Sequence, residues 1–600
     1  MIVKLSDYVA DFLVRSDITH VFTVTGGGAM HLNDSLGHNP KLKSIYNHHE
    51  QGCAIAAEGY TRLSNKLCAV CVTSGPGGTN AITGVLGGWL DSIPMFIISG
   101  QVKRETTTWS TNVPLRQLGD QEYNITASVR PMTKYAVMVT EPEDIAYHLE
   151  KALYLSRTGR GGPVWLDIPV DVQAARIDTD NIRHFDAAEC ESEKAVPVSG
   201  KIVNTVMEKL AAAKKPVIIA GTGIRLSGGH SEFIKMINTL GIPVVTAWNA
   251  HDVLWDDHPL FSGRPGTVGT RGGNFVMENA DLIMSIGCRL NIRQISYNYK
   301  DFSKNAYKII VDTDQAELDK PTLSPDMKVC ADAKDFMRRL TSAAEKKPLS
   351  VNPRWLAWCR DINKKYPAVL SEYRKQDKPL NPYVFMEGLF NALKDGDTVV
   401  TGNGSACVIA FQSAIIKKNQ RLFTNSGCAS MGYGLPAALG AAIYRGNDKR
   451  TICLDGDGSL MMNIQELQTI SYNKCNFKLF VLNNNGYHSI RQTQTNLFRP
   501  PFVGVSADSG VSFPDFSKVA DAFGFKYLKV DALSSMDDDI NAALETEGAV
   551  LCEVFLDEHQ FFAPKLSSRV NPDGTIVSPP IDDMFPFLDR DEYNGNSFSE

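Results

Sequence analysis

A rhythm repeated in three blocks constrains this chain more than any other feature. Short runs rich in Val, Ile and Leu are each followed by a glycine-rich turn and a helix-length segment. A strand covered on both faces reads as one continuous apolar run, and a helix that carries the chain back makes the next strand parallel, so the rhythm predicts stacked βαβ units. The strand-like runs are 68–73, 94–99 and 163–169 in the first block, 215–220, 281–287 and 308–312 in the second, and 398–402, 451–455 and 478–483 in the third. Polar, charged stretches at 187–194 and 345–353 read as linkers. The expectation is an α/β chain of three doubly wound parallel-sheet domains, residues 1–175, 195–342 and 370–557. A tail at 558–600, rich in Pro, Asp and Ser, follows; it reads as an ordered lid or wrap, or as disorder at its extreme end.

Composition narrows the function classes. With 600 residues the chain exceeds what one core organises, and a 43 % hydrophobic share with 21 % charged residues is that of a soluble globular protein. A net charge of −6, spread without long runs of one sign, argues against a nucleic-acid partner. The first residues space their apolar side chains like an amphipathic helix and interrupt them with Asp7 and Asp11, which no secretory signal tolerates. No uncharged apolar stretch approaches the roughly 18 residues that cross a bilayer. Twelve cysteines are scattered singly except for Cys68 and Cys71, whose apolar surroundings read as a buried strand in a reducing cytoplasm rather than as a redox or zinc pair.

The most specific chemical signal is Gly456-Asp457-Gly458-Ser459 at the end of an apolar run, followed after a helix-length interval by a second run that ends in Asn483-Asn484. If the two strands are parallel neighbours, their ends meet. Asp457, the amide oxygen of Asn484 and the carbonyl of Gly486 are then hard oxygen ligands of the kind Mg²⁺ takes when it also carries a diphosphate. Gly456, Gly458 and Ser459 open the backbone N–H groups to phosphate at a helix start.

A GDG followed after about 25 residues by NN is the fingerprint of thiamine diphosphate enzymes, and the chain resembles the catalytic subunit of acetolactate synthase over nearly its whole length. Val21-Phe22 with Gly26-Gly27-Gly28-Ala29-Met30, then His49-Glu50-Gln51-Gly52, are similar to the family's VFxxPGGA and HEQG elements; the run from Thr73 to Asn80, Asp91-Ser92-Ile93-Pro94 and Ser99-Gly100-Gln101 match almost letter for letter. The resemblance implies a pyrimidine-binding first domain, a central FAD-type domain and a diphosphate-binding third domain. It assigns Glu50 to the aminopyrimidine ring of thiamine diphosphate as the group that starts proton removal at the thiazolium, Met431 to the bend of the cofactor, and Gln121 to the reacting oxygens. Gly27 and Gly432 fall at the cofactor and Gly28 at the substrate. Gly221, Gly269, Thr270, Arg289 and Asp312 fall at bound FAD, and Arg293 is expected to steer the acceptor. In this family the glutamate and the metal ligands come from different subunits, which implies a homodimer or homotetramer.

The resemblance implies decarboxylation of pyruvate, a 2-oxo acid donor, and transfer of its two-carbon unit to a ketone acceptor. Several positions depart from the synthase pattern. Thr493 replaces the tryptophan of MQWQ, Asp120 a phenylalanine, Asn403-Gly404-Ser405-Ala406 the VGQH segment, and Ile292 an acidic residue. A wider, more polar acceptor site follows, with His488 and Gln492 as substrate-side candidates; taken on its own, His488 reads first as an exposed loop histidine. That polarity keeps a second subgroup in view, the YerE-like, thiamine-dependent acetyltransferases that act on nucleotide-linked ketosugars. A flavin-reducing enzyme of the pyruvate oxidase kind and a noncatalytic relative are the rival classes.

Overall fold

The computed structural model describes residues 1–193, 195–498, 500–570 and 573–599. Lys194, at the end of the first expected linker, and Asn571, Pro572 and Glu600 of the expected tail lie outside the described residues, as does Arg499.

Three all-parallel sheets, each flanked by helices, follow one another along the chain. The first has strands β1 (His20–Thr23), β2 (Lys43–Tyr46), β3 (Ala69–Val72), β4 (Met95–Gln101), β5 (Tyr135–Met138) and β6 (Pro163–Pro169), in the order β2-β1-β3-β4-β6-β5. The second has β7 (Pro216–Ala220), β8 (Val244–Thr246), β9 (Leu282–Ile286), β10 (Tyr307–Asp312) and β11 (Met327–Cys330), in the order β8-β7-β9-β10-β11. The third has β12 (Thr398–Thr401), β13 (Arg421–Phe423), β14 (Thr451–Gly456), β15 (Phe477–Asn483), β16 (Lys526–Val530) and β17 (Val550–Phe555), in the order β13-β12-β14-β15-β17-β16. β3, β4 and β6 are buried at every residue, which is why they read as continuous apolar runs. Cys68 and Cys71 are free and buried there, and burial pushes both thiols up to about 12.

In every sheet the chain steps to one side of its opening strand and then to the other, so the strand order reverses between β1 and β3, between β7 and β9, and between β12 and β14. Loops leaving two such strands diverge to opposite faces and open a crevice at the carboxyl ends. The glycine-rich turns of the sequence lie at these reversals.

The amino terminus differs from the helical expectation. Ile2–Lys4 is a strand paired antiparallel with Arg176–Asp178, and the helix is Leu5–Arg15. The terminal ammonium donates to Asp178 (2.8 Å) and Asp180 (2.7 Å), tying the first residues to that edge.

The blocks are joined by close and charged contacts. Helix Glu50–Ser64 of the first block packs on helix Gly434–Arg445 of the third; a Cβ at Gly440 would lie 1.9 Å from the Ala56 carbonyl oxygen, so only glycine permits this approach. Arg421 donates to Asp252 Oδ2 (2.6 Å) of the middle block and to the carbonyls of Leu63 (2.8 Å) and Arg62 (3.1 Å) of the first. The tail returns to the middle block, where Leu588, Tyr593 and Phe598 pack against its core and Arg271 donates to the Pro586 carbonyl.

Candidate active site

The reversal point of the third sheet holds a cavity of about 450 Å³. β14 and β15 are parallel neighbours with Gly456 opposite Leu482, so the turn after β14 meets the turn after β15. Asp457, 1 % exposed, accepts at Oδ1 from the Gly458 amide (2.7 Å) and at Oδ2 from the amides of Gly486 (3.0 Å) and Asn484 (3.2 Å). Burial nevertheless raises its carboxyl to about 6. Asn484 donates from Nδ2 to Ser405 Oγ (3.2 Å), while its buried Oδ1 has no donor among the described residues. A buried acceptor left without a donor is unfavourable, and together with the adjacent carboxylate it marks a place for a cation. These residues fit a hard divalent ion holding a diphosphate: the donor set is oxygen throughout, and Gly486 at φ +140, with Val505 O 1.8 Å from where its Cβ would stand, has no side chain to block it.

Met431, Gly456, Gly458, Ser459, His488, Gln492 and Arg293 line the same cavity. Gly432 lies just behind it: its amide donates to Ser459 Oγ (2.9 Å) and its carbonyl accepts from Asn463 (2.7 Å), which fixes Met431 at the wall. His488 is not an exposed loop residue. It is 4 % exposed, neither ring nitrogen has a well-formed hydrogen bond among the described residues, and burial against Phe561 and Phe562 lowers its pKa to about 4. Gln492 Oε1 accepts from the Phe562 amide (3.4 Å), and the side chain of Arg293 lies over the Trp248 ring, 5.0 Å from its centroid.

Glu50, Gln121, Gly27 and Gly28 do not line that cavity in a single chain. They gather at the reversal point of the first sheet. The Gly28 amide donates to Thr73 Oγ1 (3.0 Å), a Cβ at Gly75 would lie 2.6 Å from the Gln121 carbonyl oxygen, and Asn80 donates to Glu50 Oε2 (3.0 Å). Glu50 opens the helix capped by His49, and Gln121 is exposed at φ +61.

A second cavity, about 350 Å³, lies at the reversal point of the middle sheet and is lined by Gly221, Arg289 and Asp312. A Cβ at Gly221 would stand 2.1 Å from the Gly287 carbonyl oxygen, so the two turns form a bare backbone cradle of the kind a dinucleotide occupies. Arg157 and Arg160 of the first block complete the wall. These residues fit the dinucleotide part of FAD. Gly269 and Thr270 lie outside this lining: Gly269 closes a turn on the Gly266 carbonyl, and Thr270 Oγ1 caps helix Arg271–Asn279 through the Gly273 amide. Trp248 lines both cavities.

Further participants lie outside the site residues expected from the sequence. Glu466, fully buried in the third block, accepts from Asn47 Nδ2 (2.8 Å) and the His48 amide (3.3 Å), just ahead of Glu50. Tyr433, next to Gly432, donates to the buried Glu58 (2.7 Å), itself paired with Arg62. Lys565 enters the cavity of the third sheet from the tail. Glu58 carried one signal, a carboxylate inside an apolar stretch, whereas Glu466, between Gln465 and Leu467, carried none.

Comparison with known proteins agrees with this arrangement. Residues 3–124 match the N-terminal TPP binding domain of thiamine pyrophosphate enzymes, residues 203–340 their central domain, and residues 402–554 their C-terminal TPP binding domain. The acetolactate synthase large subunit of Lactococcus lactis subsp. lactis (strain IL1403) is 31 % identical over 579 residues, covering 95 % of this chain and 96 % of that protein. The acetolactate synthase isozyme 1 large subunit of Escherichia coli (strain K12) is 28 % identical, covering 93 % and 95 %. The chloroplastic acetolactate synthase of Arabidopsis thaliana is 28 % identical, covering 94 % and 83 %. With the family's three domains matched in order along one chain and a relative of this similarity over its full length, the chain belongs to the thiamine pyrophosphate enzyme family.

Proposed function

We propose that the protein is a thiamine diphosphate- and Mg²⁺-dependent enzyme that decarboxylates pyruvate and joins the remaining two-carbon acyl unit to a ketone acceptor, as an acetolactate synthase does. The observation that carries this reading is the donor-free Asn484 Oδ1 beside Asp457 at the reversal point of the third sheet. Asp457, Asn484 and the Gly486 carbonyl would hold Mg²⁺ and through it the diphosphate. Gly456, Gly458, Ser459 and Gly432 leave room for the phosphates, and Met431 supports the rings. When bound, thiamine diphosphate supplies the carbon nucleophile and the electron sink that decarboxylation of a 2-oxo acid requires.

The residues of the chain do the rest. Glu50, oriented by Asn80 at Oε2, would offer Oε1 to the aminopyrimidine ring as its acid–base partner. Gln121 and Gly28 orient the reacting oxygens, Arg293 and Gln492 the acceptor, and His488, neutral above about pH 4, keeps the wall dry. Glu50 is absent from the lining of the cavity that holds the metal ligands, so a complete site would draw it from a second copy, in a homodimer or homotetramer. Exposed apolar residues on both faces support this: Trp109, Val113, Leu115 and Leu118 near Gln121, and Met461, Met462, Ile490 and Leu497 near the cavity.

Gly221, Arg289 and Asp312 would hold FAD, redox-silent in a reaction without net electron transfer, and Gly269 and Thr270 shape the turn behind the site. No helix among the described residues is long and apolar enough to cross a membrane; twelve free cysteines suit the cytoplasm. A nucleotide-linked ketosugar is the second acceptor reading, favoured by exposed Thr493 on the cavity lining. The test incubates protein with pyruvate, Mg²⁺, thiamine diphosphate and FAD, with and without nucleotide ketosugars, and identifies products by mass. Acetolactate supports the first reading and a branched sugar the second; reduced flavin or peroxide on turnover replaces both with an oxidase, and no CO₂ release removes them all.

A further inference from the structure

Where the tail leaves the third sheet, residues 562–566 form an anchored strap along the wall of the cavity that holds Asp457. The Phe562 amide donates to Gln492 Oε1 (3.4 Å), the Ala563 amide to the Tyr383 hydroxyl (3.0 Å), the Lys565 amide to the Phe585 carbonyl (2.9 Å) and the Leu566 amide to the Thr267 carbonyl (2.7 Å). The Pro564 carbonyl accepts from Gln412 Nε2 (2.6 Å). Every backbone donor of the strap is engaged, so the Cα of Lys565 is held in place. The Thr267 amide in turn donates to the Arg293 carbonyl (2.8 Å), which sets Lys565 and Arg293 on one wall.

Both side chains line the cavity, and neither forms an ion pair among the described residues. Burial lowers the Lys565 pKa, and no carboxylate opposes that effect. Among the described residues Asp457 is the one acidic residue in the lining, and three backbone amides engage it. A half-buried ammonium without a counter-ion is unfavourable, so this wall is complete only when a ligand brings negative charge. The diphosphate would not supply it, since Mg²⁺ and the thiazolium cation offset its charge, and the donor cannot leave it behind, because its carboxylate departs as CO₂.

We propose that Lys565 is a specificity-determining residue: with Arg293 it selects an acceptor that carries an anionic group, carboxylate or phosphate, close to its ketone. This rests on the acyl-transfer reading above. The bond change is unaltered: a carbon–carbon bond forms at the acceptor carbonyl carbon, and the carbonyl oxygen takes up a proton.

The test uses holoenzyme and matched acceptors, 2-oxobutyrate against butanone and dihydroxyacetone phosphate against dihydroxyacetone. K565M lowers kcat/KM for the preferred anionic acceptor by about 10- to 100-fold, leaves its neutral counterpart unchanged, and K565R restores most of the loss. The pair that responds identifies carboxylate or phosphate. Equal losses for charged and neutral members, or none, overturn the proposal. A second measurement needs no turnover: labelling of Lys565 in wild-type holoenzyme by a lysine-directed reagent is slowed by 2-oxobutyrate or glycerol phosphate but not by butanone or glycerol. Protection without any CO₂ release from pyruvate would defeat the acyl-transfer reading alone, and no protection by either anion defeats the role of Lys565.

Discussion

Glu466 fastens the segment that leads into Glu50, and replacing it with glutamine tests whether that fastening matters. Its Oε2 accepts from Asn47 Nδ2 and Thr469 Oγ1, both at 2.8 Å, and its Oε1 from the His48 amide at 3.3 Å. A glutamine in its place can keep the first two contacts only by turning its NH₂ toward the His48 N–H, which exchanges a charge-assisted hydrogen bond for two opposed donors. The local cost is about 2 kcal/mol. At 1.36 kcal/mol per factor of ten, opening of the segment becomes about 30-fold more frequent. Hydrogen exchange followed by mass spectrometry on a peptide covering 46–53 reads this directly. The expected outcome is about 30-fold faster exchange confined to that peptide, with a lower kcat and an unchanged KM for pyruvate. Gly52→Ala loosens the same clamp, since its Cβ would lie 2.4 Å from Glu466 Oε1. Exchange at 46–53 that stays at the wild-type rate in Glu466→Gln, or rises equally across the chain, refutes the reasoning.

Asp252 neutralises Arg225 (3.0 Å) and Arg421 (2.6 Å), and Asp252→Ala strands both guanidiniums at a cost of about 3–5 kcal/mol; an unshifted denaturant midpoint for the block-opening transition contradicts this. Gly221→Ala drives a Cβ into the Gly287 carbonyl, 2.1 Å away, and is expected to yield protein without flavin absorbance; a full flavin complement speaks against the cradle. Burial lowers the pKa of His251 to about 3, below the ordinary value near 6.5, so the fold favours the neutral ring. Its contribution is therefore complete above about pH 6.5 and is lost as pH falls toward 3. His251→Phe should flatten the decline of Tm across that window, and an equal decline in the variant counts against the assignment.

Local chemistry is what the sequence by itself determined. Continuous apolar runs marked the strands because both faces of a parallel sheet are covered, and the glycines marked turns that a side chain would fill. The spacing from Asp457 to Asn484 equals one strand–helix–strand step, so the pairing of β14 with β15 and the meeting of their ends could be read in advance. Tertiary structure decided the rest. Glu466 lies 419 residues from Asn47, and no local pattern records that a helix of the third block closes on a loop of the first. His488 looked like a loop residue because its burial comes from Phe561 and Phe562, which arrive with the tail. Lys565 is an ordinary surface residue by composition and becomes a cavity wall only because distant acceptors and donors hold its strap. Propensity and periodicity act within a few residues, whereas burial and charge pairing are set by whichever segments the packed sheets bring together.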